Sequence, residues 1–86
     1  MYERVIVTQL AEGLHARPAS NFVKTANNYK DTKIELIKGD KSVNAKSMMS
    51  VLSLGVVCGS EVRIRGEGDN EKEAVDALCD LLEGKS

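Results

Sequence analysis

Aromatic residues are scarce in this chain. Tyr2, Phe22 and Tyr29 are the only three, and tryptophan is missing. A base-stacking surface for single-stranded nucleic acid needs more of them, interleaved with basic side chains. An excess of one charge is missing too. Twelve basic and thirteen acidic residues give a net charge of −1, whereas a surface that neutralises phosphates needs a basic excess. No apolar run approaches the ~18 residues of a membrane span. The opening Met1-Tyr2-Glu3-Arg4 lacks the charged-then-apolar pattern of a signal peptide. These absences point to a cytoplasmic protein with no direct nucleic-acid partner and no membrane insertion. Cys58 and Cys79 form no C-x-x-C pair, so zinc and dithiol redox chemistry lack their spacing. The one histidine, His15, has no cysteine or second histidine at ligand spacing, so no metal site is expected.

What is present is enough for one modest core. The 86 residues are 42% hydrophobic and 29% charged, near the globular norm. Residues 1–86 read as a single domain, too short to enclose a large cavity.

Residues 2–10 are β-branched and apolar and read as a strand. Gly13 breaks the pattern, and Pro18 suits the first turn of a helix, where an amide is free in any case. Ala19, Phe22, Val23 and Ala26 follow at i, i+3, i+4 and i+7, an amphipathic helix over 16–28. Residues 33–38 and 41–45 read as strands joined at Gly39-Asp40. A short helix over 47–54 has Ser47 as its N-cap and Gly55 as its stop. Val51 and Leu54 are its expected core residues. In 61–65 strict alternation turns Val62 and Ile64 inward and Glu61, Arg63 and Arg65 outward. Asn70 is the expected cap of a last helix, with Glu73 three residues on as its capping-box partner. Val75, Leu78, Cys79 and Leu82 line one face of that helix, and Gly84 ends it. The order is β-α-β-β-α-β-α, an α+β arrangement in which a sheet covered by helices on one face buries every stripe.

By itself His15 reads as a surface or turn residue. Its place just before a helix start changes that reading. A helix N-terminus offers unpaired amides and a partial positive charge, which favour a bound anion and keep an imidazole neutral and nucleophilic. A phosphoryl group on a ring nitrogen would meet the backbone amides of Ala16 and Arg17. The Arg17 guanidinium adds a fork of donors suited to phosphate.

Gly13-Leu14-His15-Ala16-Arg17-Pro18-Ala19-Ser20 resembles the phosphorylation-site motif of the HPr family, the histidine-containing phosphocarriers of the bacterial sugar phosphotransferase system. Val43-Asn44-Ala45-Lys46-Ser47-Met48-Met49, continued by Leu52-Ser53-Leu54-Gly55, resembles that family's second signature, around its regulatory serine. The resemblance covers the whole chain. It implies an open-faced two-layer sandwich: a four-stranded antiparallel sheet in order 1-4-2-3 with three helices on one face. It implies that His15 takes a phosphoryl group on Nδ1 from phospho-enzyme I, which draws on phosphoenolpyruvate, with Arg17 assisting. His15 then passes the group to the enzyme IIA domain of a sugar transporter.

Such a protein is a carrier rather than a stand-alone catalyst, works as a monomer and needs no cofactor. By the same resemblance Ser47 is the target of an HPr kinase/phosphorylase. Phosphoserine there would recruit a catabolite-control transcription regulator and repel enzyme I. Ser20, Lys24, Met48, Met49 and Leu52 match the family's docking surface. Two other readings stay open. One is a regulatory binding module acting mainly through Ser47. The other is a carrier for a nitrogen-related phosphotransfer branch. A catabolite-control paralogue that also resembles Ala45-Lys46-Ser47 has glutamine at the histidine position, so His15 favours the carrier. The cysteines match no family function: Cys79 reads as helix core and Cys58 as a loop or strand-edge residue.

Overall fold

Alternation, helical stripes and glycine stops combine into one sheet and one helical layer. The computed structural model describes residues 1–11, 13–14 and 16–84. Its elements are β1 (Tyr2–Val7), α1 (Ala16–Asn27), β2 (Thr32–Lys38), β3 (Lys41–Asn44), α2 (Met48–Ser53), β4 (Glu61–Gly68) and α3 (Glu71–Leu82). The strands form one antiparallel sheet in the order β1-β4-β2-β3, and the three helices cover one of its faces.

The core follows the inward-facing positions. Ile34 and Leu36 of β2, and Val62 and Ile64 of β4, meet Ala74, Val75, Leu78, Cys79 and Leu82 of α3. Ala19, Phe22 and Ala26 of α1 are fully buried, while Val23 is half-buried against them. Phe22 supplies the largest side chain of this core. Val51 and Leu54 are buried as expected. On the open face, Glu3 of β1 accepts from Arg65 at 2.8 Å and from Arg63 at 3.3 Å, and Arg65 also approaches Glu35.

Several boundaries differ from the sequence reading. β1 ends at Val7, because from Thr8 onward the chain bonds to a loop and to α3: the Gln9 amide donates to the Leu82 carbonyl at 2.8 Å. β4 runs three residues past Arg65, to Gly68. A Cβ at Gly66 would lie 2.8 Å from Val75 Cγ2 and 3.2 Å from the Glu71 carbonyl. The glycine therefore lets α3 sit against the strand rather than ending it. Asn70 makes no side-chain cap bond; only its carbonyl serves α3, accepting from the Ala74 amide. The Glu71 carboxylate instead accepts the Gly68 amide at 3.1 Å, so the expected box with Glu73 does not form. Glu73 lies toward Tyr29, whose phenol pKa is raised by burial and then by that carboxylate.

Candidate functional site

His15 lies outside the described residues. Of the residues that precede it, Thr8, Gly13 and Leu14 lie against the loop between α2 and β4. Thr8, fully buried, bonds this loop through its amide to Ser60, its carbonyl to the Gly59 amide, and its hydroxyl to the Val57 carbonyl at 2.6 Å. At the other end the Leu14 amide donates to the Val56 carbonyl at 2.9 Å, and the Leu14 side chain is buried. Gly13 between them has φ +74°, and a Cβ there would come within 2.7 Å of the Val56 carbonyl oxygen and 2.9 Å of Val57 Cα. Only glycine allows both the left-handed backbone and this approach.

α1 begins immediately afterwards, at Ala16. Ala16 and Arg17 are its first two residues, so their amides have no partner within the helix. Arg17 is exposed and Pro18 is half-buried. Beside them a shallow groove of about 220 Å³ is lined by Leu10, Pro18, Asn21, Leu81, Leu82 and Gly84. That is below the ~300–1,000 Å³ of small-molecule pockets.

The expected docking residues lie on two adjoining helices, α1 and α2, which pack against each other. Ser20 and Lys24 are exposed on α1, one turn apart. On α2, Met49 is 78% exposed and Leu52 38%, while Met48 is half-buried and packs on the core. Val57 in the following loop is 59% exposed and was not singled out from the sequence. A six-residue helix cannot bury every apolar position, and the burial of Val51 fixes which face turns outward.

Ser47 caps α2. Its hydroxyl accepts from the Ser50 amide at 3.4 Å, and the residue is half-buried. The approach to α2 is fastened to the end of α1. Asn27 Nδ2 donates to the Lys46 carbonyl at 3.1 Å, and Lys46 Nζ donates to the Tyr29 carbonyl at 2.7 Å. These long-range fastenings have no signal in a single sequence. Cys58 is exposed in the loop before β4, whereas Cys79 is buried in α3, with a thiol pKa pushed up to about 11 by burial. Among the described residues no group of three His, Cys, Asp or Glu side chains could hold a metal ion, and no helix is long and apolar enough to cross a membrane.

A four-stranded antiparallel sheet with three helices on one face is the fold of the HPr phosphocarriers. A family model described as the PTS HPr component phosphorylation site matches residues 2–84. The chain belongs to the HPr family of phosphocarrier proteins, which are not stand-alone catalysts. It is similar to the phosphocarrier protein HPr of Haloferax volcanii, 45% identical over 82 residues that cover 93% of this chain and 91% of that protein. It is also similar to the HPr-like protein Crh of Halalkalibacterium halodurans, at 41% identity over 96% of this chain and 98% of that protein. A crystal structure of HPr from Thermoanaerobacter tengcongensis superposes with a TM-score of 0.93 and 48% identity, covering 99% of this chain and 94% of that one. A second structure from that organism, described as an HPr dimer, gives a TM-score of 0.76 and covers 99% of this chain and 97% of that one.

Proposed function

We propose that this chain carries phosphoryl groups on His15, taking them from phospho-enzyme I and giving them to enzyme IIA domains of sugar transporters in the cytoplasm. The observation that carries this reading is the exposed Arg17 in the first turn of α1, two positions after residue 15, beside amides without intrahelical partners. In the transfer, a lone pair on a neutral imidazole nitrogen forms the new N–P bond. The donor's bond to phosphorus breaks and its electron pair stays with the donor. The other ring nitrogen keeps its proton. The Ala16 and Arg17 amides and the Arg17 guanidinium receive the phosphoryl oxygens, stabilising charge that no pocket shields. Donation to the next protein reverses these events.

A carrier must bind two partners in turn and release both, which suits a small, exposed interface. Ser20, Lys24, Met48, Met49 and Leu52 form that interface in this reading, with flexible methionines adapting to both partners. The carrier works as a monomer; analytical ultracentrifugation tests this against the self-association described for the T. tengcongensis protein. No cofactor takes part.

Ser47 supplies a second, compatible function. It stands half-buried at the N-terminus of α2, next to the exposed Met49. Phosphorylation by an HPr kinase/phosphorylase would add about −1.5 to −2 charges there. That charge would weaken docking to enzyme I and create a surface for a catabolite-control transcription regulator. The similarity to the Crh structure of Bacillus subtilis, described as the catabolite repression HPr and 35% identical over 99% of this chain, supports keeping this regulatory reading alongside the carrier.

The test is a relay. Phosphoryl label supplied as phosphoenolpyruvate should reach this protein only when enzyme I is present, and should leave it when an enzyme IIA domain is added. Label that enters but cannot be passed to any of a panel of IIA domains would remove the sugar-transport half of the reading and favour a nitrogen-related branch.

A further inference from the structure

A backbone carbonyl near the surface needs no side chain to satisfy it, since water serves. One held by a side chain from another element is fixed in place instead. Residues 45–47, which lead into α2, contain such a carbonyl. The Ala45 amide donates to the Ile34 carbonyl of β2 at 3.0 Å. The Lys46 amide donates to Asn44 Oδ1 at 2.9 Å, and the Ser47 amide to the Asn44 carbonyl at 3.1 Å. These two bonds to Asn44 are local and would move with the segment. The Lys46 carbonyl is different. It accepts at 3.1 Å from Nδ2 of Asn27, the last residue of α1. The same nitrogen donates to the Val23 carbonyl of α1 at 2.8 Å, which fixes the direction of the Asn27 side chain.

The Lys46 carbonyl and the Ser47 amide belong to one planar peptide unit. Asn27 holds its oxygen end and Asn44 its nitrogen end. No freely rotating bond separates the two ends, so Asn27 sets the plane from which Ser47 extends. Lys46 Nζ adds a tie to the Tyr29 carbonyl at 2.7 Å, but from the end of a long flexible arm it does not orient that peptide. The Ser47 hydroxyl itself is held more loosely. It accepts from the Ser50 amide at 3.4 Å, a longer contact than either bond of the peptide that carries it. The frame is tight and the nucleophilic oxygen is left available.

We propose that Asn27 is a positioning residue for phosphorylation of Ser47: by holding the Lys46–Ser47 peptide from α1, it fixes where the hydroxyl at the start of α2 is presented to a kinase. The inference deepens the regulatory reading above and rests on it. In the reaction, Ser47 Oγ forms a bond to the γ-phosphorus of a nucleoside triphosphate. The bond from that phosphorus to the bridging oxygen breaks, and its electron pair leaves with the nucleoside diphosphate. The hydroxyl proton passes to a base on the kinase. Asn27 touches none of these atoms. It limits how far the acceptor strays from the in-line position, which is where an oriented reactant gains its rate.

Asn27→Ala and Asn27→Gln are compared with the wild type as substrates of an HPr kinase/phosphorylase supplied with ATP and magnesium. Asn27 is exposed and its truncation removes no core packing, so both variants should stay folded. A loosened acceptor should lower kcat roughly fivefold in Asn27→Ala, the scale of one lost hydrogen bond. KM should not change. Asn27→Gln keeps an amide donor and should recover most of the rate. Exchange of the Ser47 amide should quicken in Asn27→Ala, while that of Ala45, bonded to β2, should not. Labelling of His15 by enzyme I and phosphoenolpyruvate should match the wild type, which separates this effect from a general loosening of the fold. Unchanged kcat in Asn27→Ala, a loss confined to KM, a glutamine variant as slow as the alanine, or equal slowing of His15 labelling would overturn the proposal. A wild-type protein that takes no phosphate on Ser47 would instead overturn the regulatory reading beneath it.

Discussion

The Leu14 amide and the Val56 carbonyl lie 2.9 Å apart, joining two segments 42 positions apart in sequence. This bond ties the residue before the proposed phosphoryl acceptor to the loop between α2 and β4. Gly13 makes it possible, since its backbone turns with φ +74° within touching distance of Val56 and Val57. Gly13→Ala should therefore cost about 1–3 kcal/mol through the left-handed backbone and the clash together. Urea unfolding measures the loss. Labelling by enzyme I should slow beyond what the unfolded fraction explains; a stable, normally labelled alanine variant would contradict the platform described here.

Partner docking is predicted to separate from folding at Met49. With 78% of it exposed, its truncation to alanine should change stability by less than about 0.5 kcal/mol. KM for enzyme I should rise about fivefold, equivalent to roughly 1 kcal/mol. Met48 is half-buried against the core, so Met48→Ala should lower both stability and affinity. A Met49→Ala protein with wild-type KM would take that side chain out of the interface.

The two cysteines should behave differently toward a thiol reagent at neutral pH. Cys58 is exposed and should react in the folded protein. Cys79 is buried, with its pKa raised to about 11, and the thiolate is the reactive form. One equivalent of dithiobis(nitrobenzoate) should therefore be consumed before unfolding and a second only after it. Rapid consumption of two would show that α3 opens readily.

Acid should weaken the open face of the sheet. The hydrogen bond from Arg65 holds the Glu3 carboxyl below its ordinary 4.5. A carboxylate depressed in the folded state contributes stability that is complete above its unfolded pKa and lost as pH falls through the folded one. The difference in urea midpoint between wild type and Glu3→Gln should therefore be greatest at neutral pH and close as pH drops below 4.5. A gap that is constant from neutral to acid pH would show that the Glu3–Arg65 pair does not act through ionisation.

Local pattern made much of this architecture legible. Ala19, Phe22 and Ala26, and Val75, Leu78, Cys79 and Leu82, fall on buried faces because helical period alone selects them. Gly39 enters its two-residue turn with φ +60°, as a glycine-first hairpin requires. The errors lie where two distant segments decide the outcome. Strict alternation covers only 61–65, while β4 continues through Gly66, whose bare Cα α3 needs. Asn70 does stand at the N-cap of α3, but without a side-chain cap bond: its amide faces the Thr32 hydroxyl, and Glu71 turns back to Gly68. Tyr2 and Arg4 both reach Asp76, more than seventy positions away. At the proposed site, the motif picks out Arg17 and Ser47 by type and spacing, and α1 and α2 begin beside them. Nothing in one sequence relates Thr8 to Val57, because their contact exists only after β1 and β4 have paired.

The most direct test of the carrier claim is the intact mass of this protein after incubation with phosphoenolpyruvate, magnesium and enzyme I, with the His15→Ala variant beside it. The account predicts one added phosphoryl group on the wild type, lost on brief acid treatment and absent from the variant. An acid-stable group, or equal labelling of His15→Ala, would place the chemistry on another residue and contradict the account.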